Sequence, residues 1–234
     1  MRNGDTSDER AEAMAILAHR LRNPLSVLVG YAELLRTRDD ERTRLEATTQ
    51  ISDAADEVAF VADDVLALLA LELDAVALHP EPVSLGDTTG LALERIRSRT
   101  AAYRFVPTPA LERWPVVEAD PVELPRTLVT VLMAVCSLAP EGGDVELGAR
   151  VAGRYAELRM SKGGWRLDAA GVEELFERVA PFAAPNEDDV RHTGLELHTA
   201  RRYVELQGGA ARAEALPDGR VDIVLTLPLP LDAA

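Results

Sequence analysis

Residues 17–35 read LAHRLRNPLSVLVGYAELL, a run that holds an apolar seam of helical period, a histidine off that seam and a proline in mid-pattern. Apolar residues fall at Met14, Leu17, Leu21, Leu25, Leu28, Ala32 and Leu35, in steps of three and four, which predicts one stripe of an amphipathic helix. His19 lies two residues from both Leu17 and Leu21, about 200° around the helix from each. It therefore belongs beside the core, within reach of a partner. Pro24 has no N–H and releases the carbonyl of Arg20, so a bend is expected just past the histidine. Residues 1–9 are polar, with Ser7 or Asp8 as the expected N-cap, and the helix should run to about Arg38.

Asp39, Asp40 and Glu41 break the pattern and predict a turn. A second stripe then follows at Leu45, Thr48, Ile51, Ala55, Val58, Ala62, Val65 and Leu69, again in heptad steps. Two long helices joined by a short turn make an antiparallel hairpin. A hairpin alone leaves one apolar stripe uncovered, and a second copy forming a four-helix bundle is the simplest cover, so a homodimer is expected. The alternative is a monomer in which the rest of the chain covers the stripe.

The segment His79-Pro-Glu-Pro82 ends helical character, because two prolines two apart cannot continue it. It divides the chain into residues 1–78 and 82–234. Beyond it the texture alternates. Thr88–Ala101 reads as helix, Tyr103–Thr108 and Val116–Glu118 as short strands, and Pro121–Leu138 as a helix capped by Asp120. Asp144–Val151 and Tyr155–Ser161 read as strands, Ala169–Arg178 as helix, and 183–191 as polar loop. Thr193–Gln207 reads as a helix stopped by Gly208-Gly209, and Ala211–Leu216 and Val221–Pro228 as strands. The expected class is α+β, a helical hairpin followed by a two-layer sandwich of helices on mostly antiparallel strands.

Composition narrows the function. The chain has 234 residues, 47% of them apolar, enough for real cores in two domains. With 40 acidic and 25 basic residues the formal charge is −15, which disfavours nucleic acid and anionic membrane surfaces as partners. There is no apolar run near membrane-spanning length and no charged-then-apolar leader, so a cytoplasmic location is expected. Cys136 is alone, which excludes an intrachain disulfide and points to a buried structural thiol. The four histidines, 19, 79, 192 and 198, are scattered, so no metal site is expected.

The string AHRLRNPL over residues 18–25 resembles the phosphoacceptor box of the two-component sensor histidine kinases, usually S-H-E-L-R-T/N-P-L. The hairpin resembles their dimerisation and histidine-phosphotransfer domain, and residues 82–230 their Bergerat-type ATP-binding domain. The landmarks are EPVSL at 81–85, DPVEL at 120–124, PEGG at 140–143, LFER at 175–178, TGL at 193–195 and VELQGG at 204–209. The resemblance covers nearly the whole chain in order. It implies that His19 is the phosphoacceptor, and that Asn23, one turn on, matches a position that orients a hydrolytic water in some kinases.

The nucleotide site of that family departs residue by residue. Ala134 stands where the resemblance implies a magnesium-ligating asparagine, with Thr130 and Ser137 replacing an upstream asparagine and a basic residue. The box D-x-G-x-G, whose aspartate accepts the adenine amino group, reads KGGWR at 162–166. Lys162 can only donate there, and Trp165 and Arg166 add bulk. The box G-T-G-L-G-L reads HTGLEL at 192–197, so Thr193 and Gly194 survive while Glu196 places a carboxyl group near the phosphates. No nucleotide or metal cofactor is expected.

The phosphoacceptor box departs once, because Arg20 stands where an acid usually takes a proton from the imidazole. Phosphoryl transfer from an aspartyl phosphate needs mainly a positioned nucleophile and electrostatic stabilisation, with magnesium supplied by the partner receiver domain. Arg20 or Arg22 could then contact the phosphoryl oxygens. Three functions follow from the resemblance. One is a histidine phosphotransferase that moves a phosphoryl group between response-regulator receiver domains through His19 without ATP. The second is a non-catalytic pseudokinase that binds a response regulator or a kinase. The third is an active ATP-dependent histidine kinase. Exposed residues below His19, with Ser26, Tyr31 and Glu33 as candidates, would set partner choice.

Overall fold

A computed structural model describes the backbone of residues 5–38, 40–73, 75–139, 142–165, 169–173, 175–176 and 195–231. Side chains are described from residue 18 onward within these segments, excepting residues 19, 20, 64, 68, 72, 169, 173 and 195. The chain divides into a helical unit that reaches Ala75 and an α/β unit that begins at Val76.

Two helices, α1 (Asp5–Thr37) and α2 (Glu41–Glu72), form the expected antiparallel hairpin. Because α1 begins at Asp5, Ser7 and Asp8 lie inside it rather than at its cap. The helix also continues through Pro24 without a break, the proline being buried. The turn is fixed by Asp40, whose carboxylate accepts from the Thr43 amide at 2.8 Å and from the Thr43 hydroxyl at 2.7 Å, capping α2. Tyr31 Oη donates to Glu46 Oε1 at 3.4 Å across the pair and marks the register.

The seam between these helices does not follow the predicted stripes. On α2 it runs through Thr43, Ala47, Ala54 and Val61, all buried, while Leu45 is 67% exposed and Leu69 46%. On α1 Pro24 is buried and Leu21, Leu28, Tyr31 and Leu34 are half-buried, whereas Leu25, Val29, Ala32 and Leu35 are exposed. Small residues on α2 let the two backbones approach closely, and the leucines of the heptad stripe form a second apolar face. A wide stripe carries two seams, and periodicity alone does not say which one the hairpin uses.

The α/β unit opens with strand β1 (Glu81–Ser84), which the sequence reading did not anticipate. It pairs antiparallel with β3 (Val116–Ala119) in a separate two-stranded sheet. Pro82 within it and Pro80 just before it mark the segment as non-helical; at a short edge strand Pro82 is tolerated because the ladder needs few of its N–H groups. Helix α3 (Leu85–Ile96) starts at once, with Ser84 Oγ accepting from the Asp87 amide at 3.2 Å. It stops five residues short of the predicted end, where the Thr100 hydroxyl donates to the Ile96 carbonyl at 2.9 Å.

Strand β2 (Tyr103–Pro107), a 3-10 turn (Leu111–Arg113) and β3 lead to helix α4 (Glu123–Leu138). Strands β4 (Gly143–Ala152) and β5 (Tyr155–Lys162), the short helix α5 (Ala169–Glu173), helix α6 (Leu195–Leu206), and strands β6 (Ala210–Ala215) and β7 (Val221–Pro228) complete the unit. The five-stranded sheet has the order β2-β4-β5-β7-β6. Its β2–β4 pair is parallel and the other pairs are antiparallel.

Period-2 alternation divides the sheet. Ala156, Leu158 and Met160 on β5 pair with Leu227, Leu225 and Ile223 on β7, all fully buried beneath the apolar faces of α4 and α6. The opposite face carries charged pairs running across strands, Arg150–Glu157, Arg159–Glu214, Arg159–Asp222 and Arg212–Glu157, and Arg212 also pairs with Glu214 along β6. At the end of α6, Gly208 adopts φ +77° and the Gly209 amide returns to the Val204 carbonyl at 2.9 Å. A Cβ at Gly209 would lie 2.1 Å from the Thr226 carbonyl oxygen, so the expected glycine stop is also a packing requirement.

Candidate phosphoacceptor helix and altered nucleotide site

His19 lies on α1 five residues before the buried Pro24, and Arg20 follows it; the side chains of these two residues lie outside the described set. Helical spacing puts positions 19, 22, 23 and 26 on one side of α1. Of these, Arg22 and Asn23 are exposed, as is Ser26, whose hydroxyl donates to the Arg22 carbonyl at 2.8 Å. An open apolar depression runs down the same helix, lined by Ala18, Leu21, Leu25 and Val29, with Arg22 and Ser26 along it. Tyr31 and Glu33 continue the helix below, Tyr31 held by Glu46 and Glu33 by Arg36 at 3.2 Å. The helix thus offers cationic and amide side chains beside the histidine position, next to exposed apolar surface.

In the α/β unit, Ala134 is fully buried in the middle of α4 and presents only a methyl group. A hard cation such as magnesium requires oxygen ligands, so this position holds none. Thr130 and Ser137, on the same helix, are half-buried. Lys162 ends β5 with 7% exposure, and its ammonium donates to the Gly163 carbonyl at 2.9 Å. No acceptor for an adenine amino group is offered from that side chain. Burial pushes the Cys136 thiol on α4 up to about 12, opposed by the positive charge of Lys162, which confirms the structural role expected of this cysteine.

Gly164 takes φ +79° and turns the chain into Trp165, which is half-buried with its indole Nε1 enclosed and unpartnered among the described residues. Glu196 sits in the first turn of α6 at 1% exposure, where the resembling box has a glycine that lets backbone approach phosphate. Arg166, His192, Thr193 and Gly194 lie outside the described residues, as does the loop 183–191. At the three described positions where the resemblance implies magnesium, adenine and phosphate contacts, the side chains present are a methyl, an ammonium and a carboxyl group. Among the described residues no group of three or more His, Cys, Asp or Glu side chains could hold a metal ion, and no helix is long and apolar enough to cross a membrane.

One residue the sequence reading passed over is Gln207. It is buried, its Oε1 accepts from the Asp120 amide at 2.6 Å and its Nε2 donates to the Tyr203 carbonyl at 3.0 Å. It appeared only as a letter in the VELQGG landmark. A buried amide flanked by an apolar helix and a glycine stop was the available signal.

Residues 9–73 match the His Kinase A (phospho-acceptor) domain family. The chain is 24% identical over 230 residues to histidine protein kinase DivJ of Caulobacter vibrioides, covering 94% of this chain and 37% of that protein. It is 27% identical over 215 residues to sensor protein DivL of the same organism, covering 91% of this chain and 27% of that one. The chain therefore spans only about a third of the length of these relatives. The crystal structure of histidine kinase ThkA in complex with response regulator protein TrrA is similar in fold, with a TM-score of 0.64 at 17% identity, over 100% of this chain and 66% of that one. With a helical hairpin that matches the His Kinase A (phospho-acceptor) domain, followed by a mixed-sheet α/β domain, the chain is similar along nearly its whole length to two-component sensor histidine kinases.

Proposed function

We propose that the protein is a histidine phosphotransferase of a two-component phosphorelay, carrying a phosphoryl group between response-regulator receiver domains through His19 without using ATP. The observation that carries this reading is the burial of Ala134 and Lys162 at the two positions where the family's nucleotide chemistry requires a magnesium ligand and an adenine acceptor. The hairpin, by contrast, retains His19, Asn23 and Pro24 in the phosphoacceptor order.

In the forward step an imidazole nitrogen of His19 attacks the phosphorus of a receiver's aspartyl phosphate. A P–N bond forms, the acyl phosphate P–O bond breaks, the aspartate leaves as carboxylate, and the proton on the other ring nitrogen is free to pass to water. The step reverses onto a second receiver. The receiver supplies its own magnesium, and Arg20 and Arg22 offer positive charge to the phosphoryl oxygens. The complex of ThkA with a response regulator supports the choice of partner class. The exposed leucines of α2 and the Leu25–Val29 face of α1 support a homodimeric four-helix bundle.

Arg20 favours a second reading, a pseudokinase that binds a receiver or a kinase without phosphoryl chemistry, since an arginine cannot accept the imidazole proton. Incubation with a phosphorylated receiver and, separately, with labelled ATP and magnesium separates the alternatives, with His19→Ala as control. Label on His19 from the receiver alone supports the phosphotransferase. Retained binding without label supports the pseudokinase, and label from ATP would overturn both.

A further inference from the structure

The junction between the helical hairpin and the α/β unit passes through His79-Pro80-Glu81-Pro82, and a buried carboxylate holds its first residue. The antiparallel ladder of β1 on β3 pairs Glu81 with Ala119, Pro82 with Glu118, Val83 with Val117 and Ser84 with Val116. Continued one step, this register sets Pro80 opposite Asp120; two steps on, His79 faces Pro121. Neither proline has an N–H, so the backbone ladder ends there. The Asp120 side chain takes over: its Oδ2 accepts from the His79 amide at 2.8 Å, across 41 positions of sequence.

The same carboxylate has a second task. Its Oδ1 accepts from the Val122 amide at 2.8 Å and from the Glu123 amide at 3.0 Å, closing the start of α4. Its own amide donates to Gln207 Oε1, which ties the cluster to the end of α6. Burial alone would raise the pKa of this carboxyl, but three backbone N–H donors outweigh it and hold the group below the ordinary aspartate range. Capping a helix needs one oxygen; here the other is used on a residue from the junction.

We propose that Asp120 is a positioning residue that fixes where the connector enters the α/β unit, confining the freedom between the two units to the few residues before His79. The latch carries no phosphoryl chemistry and is independent of what His19 does. Its effect is to limit how far the α/β unit can wander from the hairpin that bears His19.

The capping and latching roles separate by substitution. Asparagine and serine both cap helices well, but asparagine has only one acceptor oxygen and serine is too short to bridge to His79. In Asp120→Asn and Asp120→Ser the α/β unit should keep its fold, the His79 amide should exchange with solvent at least tenfold faster, and the amides of Val122 and Glu123 should change little. Nitroxide labels on α2 and β6, in a Cys136→Ala background, should then report a broader distance distribution by pulsed electron spin resonance. Asp120→Ala, losing cap and latch together, should also expose the start of α4. Unchanged protection of the His79 amide in the asparagine and serine variants, or an unchanged distance distribution once that amide is freed, would overturn the proposal.

Discussion

Replacing Ala134 by asparagine supplies, on paper, the magnesium ligand that the resemblance implies at this position, and the structure predicts that the replacement fails. Ala134 is fully buried and flanked on α4 by the buried Leu132, Val135 and Cys136. Asparagine adds three heavy atoms to a packed site, an overpacking cost of about 1–3 kcal/mol. It also introduces an amide whose partners are absent, worth roughly another 1–3 kcal/mol. Taking about 3 kcal/mol as the total, the melting temperature should fall by roughly 6–12 °C for a chain of this size. Thermal unfolding followed by circular dichroism, with and without magnesium and ATP, reads both halves of the claim. A nucleotide present at a hundred times its dissociation constant would raise stability by about 2.7 kcal/mol, so binding would be plain in the same melt. A variant that melts like the parent and rises further with magnesium and ATP would show an open, nucleotide-competent pocket and refute the reasoning.

Gly86→Ala on α3 would place a Cβ 1.9 Å from the Leu111 carbonyl oxygen, so the gain in helix propensity of about 1 kcal/mol should be outweighed and urea unfolding should shift to lower midpoint. Acid titration of stability should show a loss beginning near pH 4: Asp120, Asp144 and Glu214 are all held below their ordinary values, Asp144 and Glu214 chiefly by the hydrogen bonds of Arg104 and Arg212. In that window the unfolded chain binds more protons than the folded one, so stability is present above the unfolded values and drains as pH falls through the folded ones. Flat stability from pH 6 down to pH 2.5 would contradict these pairings. At the alkaline end Cys136 acts with the opposite sign, since its folded value of about 12 lies above the unfolded one. Above about pH 9 the folded state should lose roughly 1.4 kcal/mol per unit on its account, and Cys136→Ala should flatten that slope in denaturant melts.

The elements of the α/β unit were largely legible because period and punctuation agreed. The β4 and β5 strands alternate cleanly about the Ala152-Gly-Arg turn, with Gly153 at φ +63°, and the α6 stop at Gly208-Gly209 is written in residues that only that geometry requires. The departures have physical causes. Strand β1 is hidden because Pro82 and the preceding Pro80 read as breakers, although a four-residue edge strand tolerates Pro82. The hairpin seam departs from the leucine stripes because leucines carry the strongest periodic signal, while the buried Ala47 and Ala54 do the close packing. Leucine marks where apolar area is available, and alanine marks where backbones meet.

The site was legible in a different way, through residues that are wrong for the chemistry their positions imply. Ala134 and Lys162 could be singled out because the resemblance implies at each a group whose lone pair has a defined task, and Glu196 because it implies a glycine there; burial adds what sequence cannot, since all three are enclosed. An exposed lysine at position 162 could swing aside for a ligand. One at 7% exposure, with its ammonium committed to the Gly163 carbonyl, would have to give up that bond and its packing first. The Asp120 latch was legible in neither sense, since a DP dipeptide before a helix reads as a cap and nothing more. Its second oxygen finds His79 only because two prolines in unrelated segments fall opposite the same ladder end, a coincidence of register that exists in the fold and not in any local stretch of sequence.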